Sequence, residues 1–478
     1  MLTLTRDNFI EGAFVNEGGK DRIEVLNPSR NTVIGDVPES GPEVVDRAVA
    51  SAKKAQKSWG KLPAIVRAGY LRQISAKIRE NADEIAQAIV EEQGKLAGLA
   101  AVEAQFAAEY FDYMAEWARR IEGEVISSDR PGENVFLMRK PIGVVAGILP
   151  WNFPFFLIAR KAGPALVTGN TIVIKPSEET PMNALIFARL MAETDMPPGV
   201  INIVFGRGAT TGKALSSHPD VGLVSFTGSV ATGTAIMHEA ANNITKVNLE
   251  LGGKAPAIVL ADADLDLAVK AITASRLLNS GQVCNAAERV YVEKSIADEF
   301  TQRVAKAMSA TKVGDPADGA TEMGPLINKP GLKKVHEFVK SAVADGAQVV
   351  TGGELVELDN GNFFQPTVLT NVNEGMGVMR DEVFGPVLPV ATVSGLDEAI
   401  ERANDCAYGL TSSIYTTNLN SALHAINALE FGETYVNREN FEAMQGFHAG
   451  TKRSGIGGAD GKHGLYEYTR THIAYIQT

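Results

Sequence analysis

Of the two cysteines, the one better placed to act as a nucleophile is Cys284, in Asn279-Ser-Gly-Gln-Val-Cys-Asn-Ala286. A lone cysteine is more often a buried, inert thiol, but Gly281, Gln282 and Asn285 give this one polar, loop-forming company, which raises the nucleophile reading. Cys406, in Asn404-Asp-Cys-Ala-Tyr-Gly409, has no such neighbours and reads as a small apolar residue. Glu250 opens Glu250-Leu-Gly-Gly-Lys254, where a carboxylate before two glycines could face solvent or serve on a turn as a general base. Asn152, in Pro150-Trp-Asn-Phe-Pro154, is an amide between aromatics, a group able to hold an oxyanion. A thiol, a carboxylate and an amide together suit chemistry at a carbonyl carbon.

Other motifs suit a phosphate-bearing ligand. Lys175-Pro-Ser-Glu178 ends an apolar run with a cation and an anion, both able to bind ribose hydroxyls. A carboxylate there accepts from a 2′-hydroxyl and repels a 2′-phosphate, favouring NAD over NADP. Phe226-Thr-Gly-Ser-Val-Ala-Thr-Gly233 runs from a strand pattern into a helix pattern, whose free N–H groups and dipole could meet a pyrophosphate. Gly206-Arg-Gly208-Ala-Thr-Thr-Gly212 also follows a strand pattern, but its spacing is one residue too long for the dinucleotide fingerprint. Nor is it a phosphate loop, since Arg207 replaces the first glycine and Ala214 follows Lys213.

The chain that must position these groups has 478 residues, enough for two or three domains. With 45% hydrophobic and 21% charged residues and a mean hydropathy of −0.02, it has ample material for folded cores. A net charge of −12 argues against nucleic acid as a partner. Two cysteines and no Cys/His cluster point to a reducing cytoplasm, with neither a disulfide framework nor a metal. The opening residues 1–11 lack the order of a signal peptide, and the apolar run 144–159 is too short and broken to span a bilayer. The first third reads as helical, with Asn81 and Glu84 as a capping pair, Gly94 as a stop, and a helix over about 96–120. Asp129-Arg-Pro-Gly132 signals a turn in a projecting hairpin. From residue 143, apolar runs at 143–149, 171–175, 200–204, 221–226 and 257–260 alternate with helix-length segments. That pattern predicts a buried parallel sheet, with ligands beyond its carboxyl ends. A second α/β domain follows between about 264 and 435, and 469–478 reads as an edge strand.

The motifs around Asn152, Lys175, Ser229, Glu250 and Cys284, followed by Glu382-Val-Phe-Gly-Pro386, stand in the order found in the aldehyde dehydrogenase superfamily, which the whole chain resembles. Arg438-Glu-Asn-Phe-Glu-Ala-Met-Gln-Gly-Phe-His448 and Ser454-Gly-Ile-Gly-Gly-Ala-Asp-Gly-Lys-His463 resemble its branch acting on lactaldehyde and glycolaldehyde. The resemblance implies an α/β aldehyde dehydrogenase fold with a Rossmann-like NAD-binding domain over 1–122 and 141–252. It implies an α/β catalytic domain over 253–455, and a small β oligomerisation unit over 123–140 and 456–478 that builds a homodimer or homotetramer. Cys284 would be the nucleophile, Glu250 the deacylation base, and Asn152 with the Cys284 N–H the oxyanion donors.

By the same resemblance Lys175 and Glu178 would contact the adenosine ribose of NAD, Ser229 the pyrophosphate, and Glu382 and Phe384 the nicotinamide ribose and ring. Leu149, Trp151, Ser177, Gly208, Gly212, Phe226, Thr227, Gly228, Thr232, Leu251, Gly252 and Lys334 would also bind the cofactor. No metal is implied. Arg160, Asn285, Glu442 and His448 would surround a small aldehyde in a polar tunnel, although Arg160 could pair with Glu442 simply to satisfy a charge. A semialdehyde substrate is the alternative. Transfer to CoA is disfavoured by Glu250, and a cysteine hydrolase by the lack of a matched histidine.

Overall fold

The computed structural model describes residues 5–16 and 21–478; residues 1–4, part of the segment read for a signal peptide, and 17–20 lie outside the described residues. The apolar runs from residue 143 form strands Val144–Ile148, Thr171–Lys175, Ile201–Ile203 and Val221–Thr227, and Lys246–Glu250 joins them. These five run parallel, in the spatial order 201–203, 171–175, 144–148, 221–227, 246–250. The order reverses between Val144–Ile148 and Val221–Thr227. Loops leaving those two carboxyl ends therefore diverge and open a crevice. Antiparallel strands close both edges, Asn8–Ile10 with Ala13–Val15 on one side and Gly455–Ile456 on the other.

The first third is not helical throughout. Two hairpins, Asn8–Ile10 with Ala13–Val15 and Arg22–Asn27 with Thr32–Pro38, precede the first helix. Strand Arg22–Asn27 alternates exposed and buried residues, a period of two that is easily lost beside long helices. The expected capping pair at Asn81 does not form either. Helices Ala64–Glu80 and Ala82–Gln93 are separated by that one residue, and its side-chain amide donates back to the Lys77 carbonyl at 2.8 Å. Gly94 does end the second helix, in the left-handed conformation (φ 75°).

Strand Ala255–Val259, whose sequence continues the preceding alternation, belongs instead to the interior of a second sheet. Its order is 348–351, 367–370, 387–393, 287–293, 255–259, 411–415, 433–436. The chain crosses between sheets at Gly252-Gly253. A Cβ on Gly253 would lie 2.5 Å from the Cys284 carbonyl oxygen, and one on Gly252 would lie 2.4 Å from the Glu382 carboxylate. Only glycine lets three segments approach so closely. The second sheet turns its amino ends to this junction, because Cys284 precedes Ala287–Glu293 and Glu382 precedes Val387–Val393. The expectation that every motif lies beyond a carboxyl end thus holds for the first sheet alone.

Hairpin Glu124–Ser127 with Glu133–Pro141 turns at Gly132 (φ 77°), and Thr469–Gln477 pairs along it antiparallel as an edge strand. Helix Phe156–Val167 is buried at every position, beside helix Ala97–Glu116 and the first sheet. Arg160 and Lys161 are buried with it and must find partners. Among the described residues no helix is long and apolar enough to cross a membrane.

Candidate active site

Two cavities meet at Cys284. Leu99, Phe106, Phe156, Arg160, Asn285 and Glu442 line the first, and Trp151, Ser229, Lys334, Glu382 and Phe384 line the second. Asn152, Thr227, Glu250 and Cys284 line both. Three consecutive left-handed residues, Asn279 (φ 50°), Ser280 (φ 60°) and Gly281 (φ 77°), present the cysteine. The two that are not glycine cost about 1–3 kcal/mol each, so the surroundings must hold them. Arg276 does so by donating to the carbonyls of Gly281 and Ala287, and Ser280 Oγ donates to Gly324 at 2.8 Å.

Asn152 donates one side-chain N–H to the Gln282 carbonyl at 3.0 Å, and its own carbonyl accepts from Lys95 Nζ at 2.7 Å. Lys95 is fully buried against Glu103, which in turn accepts the N–H groups of Phe155 (2.9 Å) and Phe156 (3.1 Å). Among the described residues the second amide hydrogen of Asn152 and the Cys284 N–H make no hydrogen bond. Two donors are therefore free beside the sulfur. Glu250 ends strand Lys246–Glu250 instead of sitting on a turn, and is 4% exposed. Its nearest polar partners are the Thr227 hydroxyl at 3.4 Å and Arg160 Nη1 at 4.0 Å, neither close enough to tie the carboxylate up.

Arg160 does approach Glu442, at 3.2 Å, but its main partner is Asp460, which accepts from both Nε (3.0 Å) and Nη2. Tyr110 donates to the same carboxylate at 2.9 Å. Burial pulls Arg160 down, yet Asp460, Glu250 and Glu442 outweigh it and keep the guanidinium a cation. Lys161 behaves oppositely; burial lowers its ammonium to about 8, and it donates to Ser225 Oγ at 3.1 Å. Asp460 was not singled out from the sequence. A carboxylate set among glycines is the one available signal, and its strained backbone (φ 71°, ψ 163°), a region that usually needs glycine, is visible only in the fold.

His448 corrects two expectations. It does not line the substrate cavity but is buried outside it, and its N–H and C=O both bond to Ala459 (2.9 and 2.8 Å). Its Nδ1 lies 2.6 Å from Glu433, and the ring lies close enough to Cys284 to be influenced by it, so the cysteine does have a histidine neighbour. Burial and Arg160 pull the imidazole down, but Glu442, Cys284 and Glu433 raise it well above its ordinary value. The polar tunnel is also only partly polar. Leu99, Val102, Phe106, Phe156 and Phe441 form most of the wall, and the polar groups gather at one end. There Asn285 donates to Glu442, while among the described residues its buried Oδ1 has no partner.

In the second cavity Glu382 accepts from the Gly253 N–H at 2.9 Å; burial, then Glu288, pushes its carboxyl up to about 7. Phe384 meets Trp151 edge-on at 5.5 Å. Gly228, Leu251 and Gly252 also line it. Ser229 caps helix Val230–Ala241 through the Thr232 N–H (3.2 Å) and also meets the Thr232 hydroxyl (2.9 Å). Among the described residues the N–H groups of Val230 and Ala231 make no hydrogen bond, as an anion at this helix start requires.

The remaining expected cofactor residues lie outside this cavity, along the same sheet edge. Lys175 donates to Glu178 at 2.9 Å, and Glu178 also accepts the Gly208 N–H at 3.3 Å. Burial pushes Glu178 up, but Lys175 outweighs it and holds the carboxyl below its ordinary value. Leu149 donates its N–H to the Lys175 carbonyl at 3.0 Å, Ser177 is buried beside them, and Phe226 is in the core. Gly208–Gly212 forms a π-helical turn. A Cβ would meet nothing within 4 Å at Gly208 and nothing nearer than 3.9 Å at Gly212. At Gly206 (φ 148°) it would lie 1.8 Å from Thr211 Oγ1, so that glycine is the one the turn demands.

The model of the aldehyde dehydrogenase family matches residues 14–474. Lactaldehyde dehydrogenase of Escherichia coli (strain K12) is 58% identical over 471 residues, 98% of each chain. A crystal structure of lactaldehyde dehydrogenase from Escherichia coli superposes with a TM-score of 0.98, covering 99% of both chains. A structure of 3,6-anhydro-L-galactose dehydrogenase in complex with NAP gives 0.96 at 42% identity, covering 98% of this chain and 99% of that one.

Proposed function

The chain belongs to the aldehyde dehydrogenase family and has its fold, and we propose that it oxidises a small hydroxyaldehyde, of the size of lactaldehyde or glycolaldehyde, to the acid with NAD. The reading is carried by the meeting of an aldehyde-sized cavity and a nucleotide-suited cavity at one cysteine. Cys284 attacks the aldehyde carbon, with the His448 ring beside it. The alkoxide of the thiohemiacetal is met by the free Asn152 and Cys284 N–H groups; losing one such donor typically costs about 2.7–4 kcal/mol in the transition state. Bound in the second cavity, NAD would take the hydride from that carbon. Glu382, Phe384 and Trp151 would hold its nicotinamide half, the Ser229 helix start its pyrophosphate, and Lys175 and Glu178 its adenosine ribose. Glu250 then takes a proton from the water that hydrolyses the thioester.

A semialdehyde substrate would need a free cation for its second carboxylate. Arg160 is already held by Asp460 and Glu442, which favours the hydroxyaldehyde. The three units 1–122 with 141–252, 253–455, and 123–140 with 456–478 serve as cofactor, catalytic and oligomerisation units, except that Gly455–Ile456 pairs into the first sheet. Exposed Val125, Ile126, Tyr475 and Ile476 on the third sheet support its use in a homodimer or homotetramer. Both cysteines are free thiols, in keeping with a cytoplasmic location.

Two comparisons of kcat/KM test the specificity. NADP should be poorer than NAD by about tenfold or more, because its extra charge of about −2 would lie near Glu178. Equal values would defeat the NAD assignment. Glycolaldehyde should beat hexanal by roughly 10–100-fold. Arg160→Leu and Asp460→Asn should erode that ratio alike, since Asp460 holds the guanidinium. His448→Ala should instead slow both aldehydes, because its ring lies beside Cys284 and outside the cavity lining. A wild-type preference for hexanal would overturn the hydroxyaldehyde reading and leave the family assignment standing.

A further inference from the structure

Behind the junction lies a buried ion cluster, Glu288 with Lys254 and Arg276, whose own side chains line neither cavity. Glu288, at the start of strand Ala287–Glu293, is 1% exposed and pairs with Lys254 at 2.6 Å and Arg276 at 2.9 Å. Both cations are fully buried. The same carboxylate accepts the backbone N–H groups of Val383 (3.2 Å) and Phe384 (3.1 Å). Phe384 is left-handed at φ 59°, a conformation an aromatic residue keeps only under constraint. On the opposite side, Arg276 grips the carbonyls of Gly281 and Ala287, which bracket Cys284. The two loops also touch directly, since a Cβ on Gly281 would fall 2.3 Å from the Gly385 carbonyl oxygen. One carboxylate is therefore bonded to the segment bearing Glu382 and Phe384, and through Arg276 to the segment bearing the nucleophile.

We propose that Glu288 is a positioning residue that sets the Glu382–Phe384 segment against the Cys284 loop, and so fixes where the nicotinamide half of the cofactor lies relative to the sulfur. The inference rests on the cofactor reading of the second cavity. A charged acceptor suits the task, because ionised groups make the stronger bonds to N–H donors and two cations hold it in place. Burial opposes ionisation of Glu288, but Lys254 and Arg276 outweigh it and keep it a carboxylate.

Glu288→Gln keeps the shape but loses the charge. It should raise KM for NAD tenfold or more while KM for glycolaldehyde changes less than about twofold, with Glu288→Asp recovering part of the loss. If Glu288→Gln does not fold, the double variant Lys254→Met/Glu288→Gln removes one charge of each sign and is read in the same way. An unchanged KM for NAD, or an equal rise for both substrates, would overturn the inference. Calorimetric titration of wild-type protein with NAD separates the two claims. No binding there defeats the cofactor reading itself, whereas normal binding with a silent Glu288→Gln defeats only the positioning role.

Discussion

Cys284→Ala lowers NAD-dependent aldehyde oxidation by roughly 10⁴-fold or more, whereas Cys406→Ala keeps kcat within about twofold of wild type. The contrast follows from position. Cys284 stands where the two cavities meet, its backbone N–H unbonded among the described residues and the His448 ring beside it. Cys406 is half-buried away from both cavities, and its sulfur merely accepts the Tyr408 N–H at 3.5 Å. Reduction of NAD followed by absorbance, on variants whose circular dichroism matches wild type, gives the comparison. Equal losses in the two variants would remove Cys284 from the mechanism.

Glu250→Gln separates the half-reactions. One equivalent of NADH per active site should appear at once, followed by turnover slowed about 10²–10⁴-fold, the usual contribution of a positioned base. The burst is expected because the base is needed to activate the water, whereas hydride loss from the thiohemiacetal precedes that step. The stall is expected because Glu250 lines both cavities beside Cys284 and is held by nothing closer than Thr227. Wild-type turnover would mean another group activates the water. A lost burst would mean that Glu250 also serves the thiol.

By itself the sequence carried the parts of this protein that are written locally. Short β-branched apolar runs such as 171–175, alternating with helix-length segments, read as strands buried on both faces, so the parallel first sheet was legible. Gly94 ended its helix because a left-handed stop is a property of one residue. The motifs around Asn152, Glu250 and Cys284 could be picked out by residue type and company, since a nucleophile, a base and an oxyanion donor are recognisable as chemistry. Short alternating strands such as Arg22–Asn27 and the misassigned Ala255–Val259 show where that reading ends. A strand's sequence records that it is buried, but not which sheet buries it.

Tertiary structure alone decided how the charges are matched. Arg160 could be seen as a buried cation needing an anion, but only folding selected Asp460 over Glu442 as its main partner. His448 was read as a cavity wall, yet it is buried outside the cavity lining, tied to Ala459 by a two-way backbone bond and to Glu433 through its ring. Glu288, Lys254 and Arg276 gave no signal at all, because each is an ordinary charged residue until two sheets close over them. Pairing energies depend on distance and local dielectric, and both are set by segments hundreds of residues apart coming together. Residue type is a property of the chain, whereas a charge's partner is a property of the packed interior.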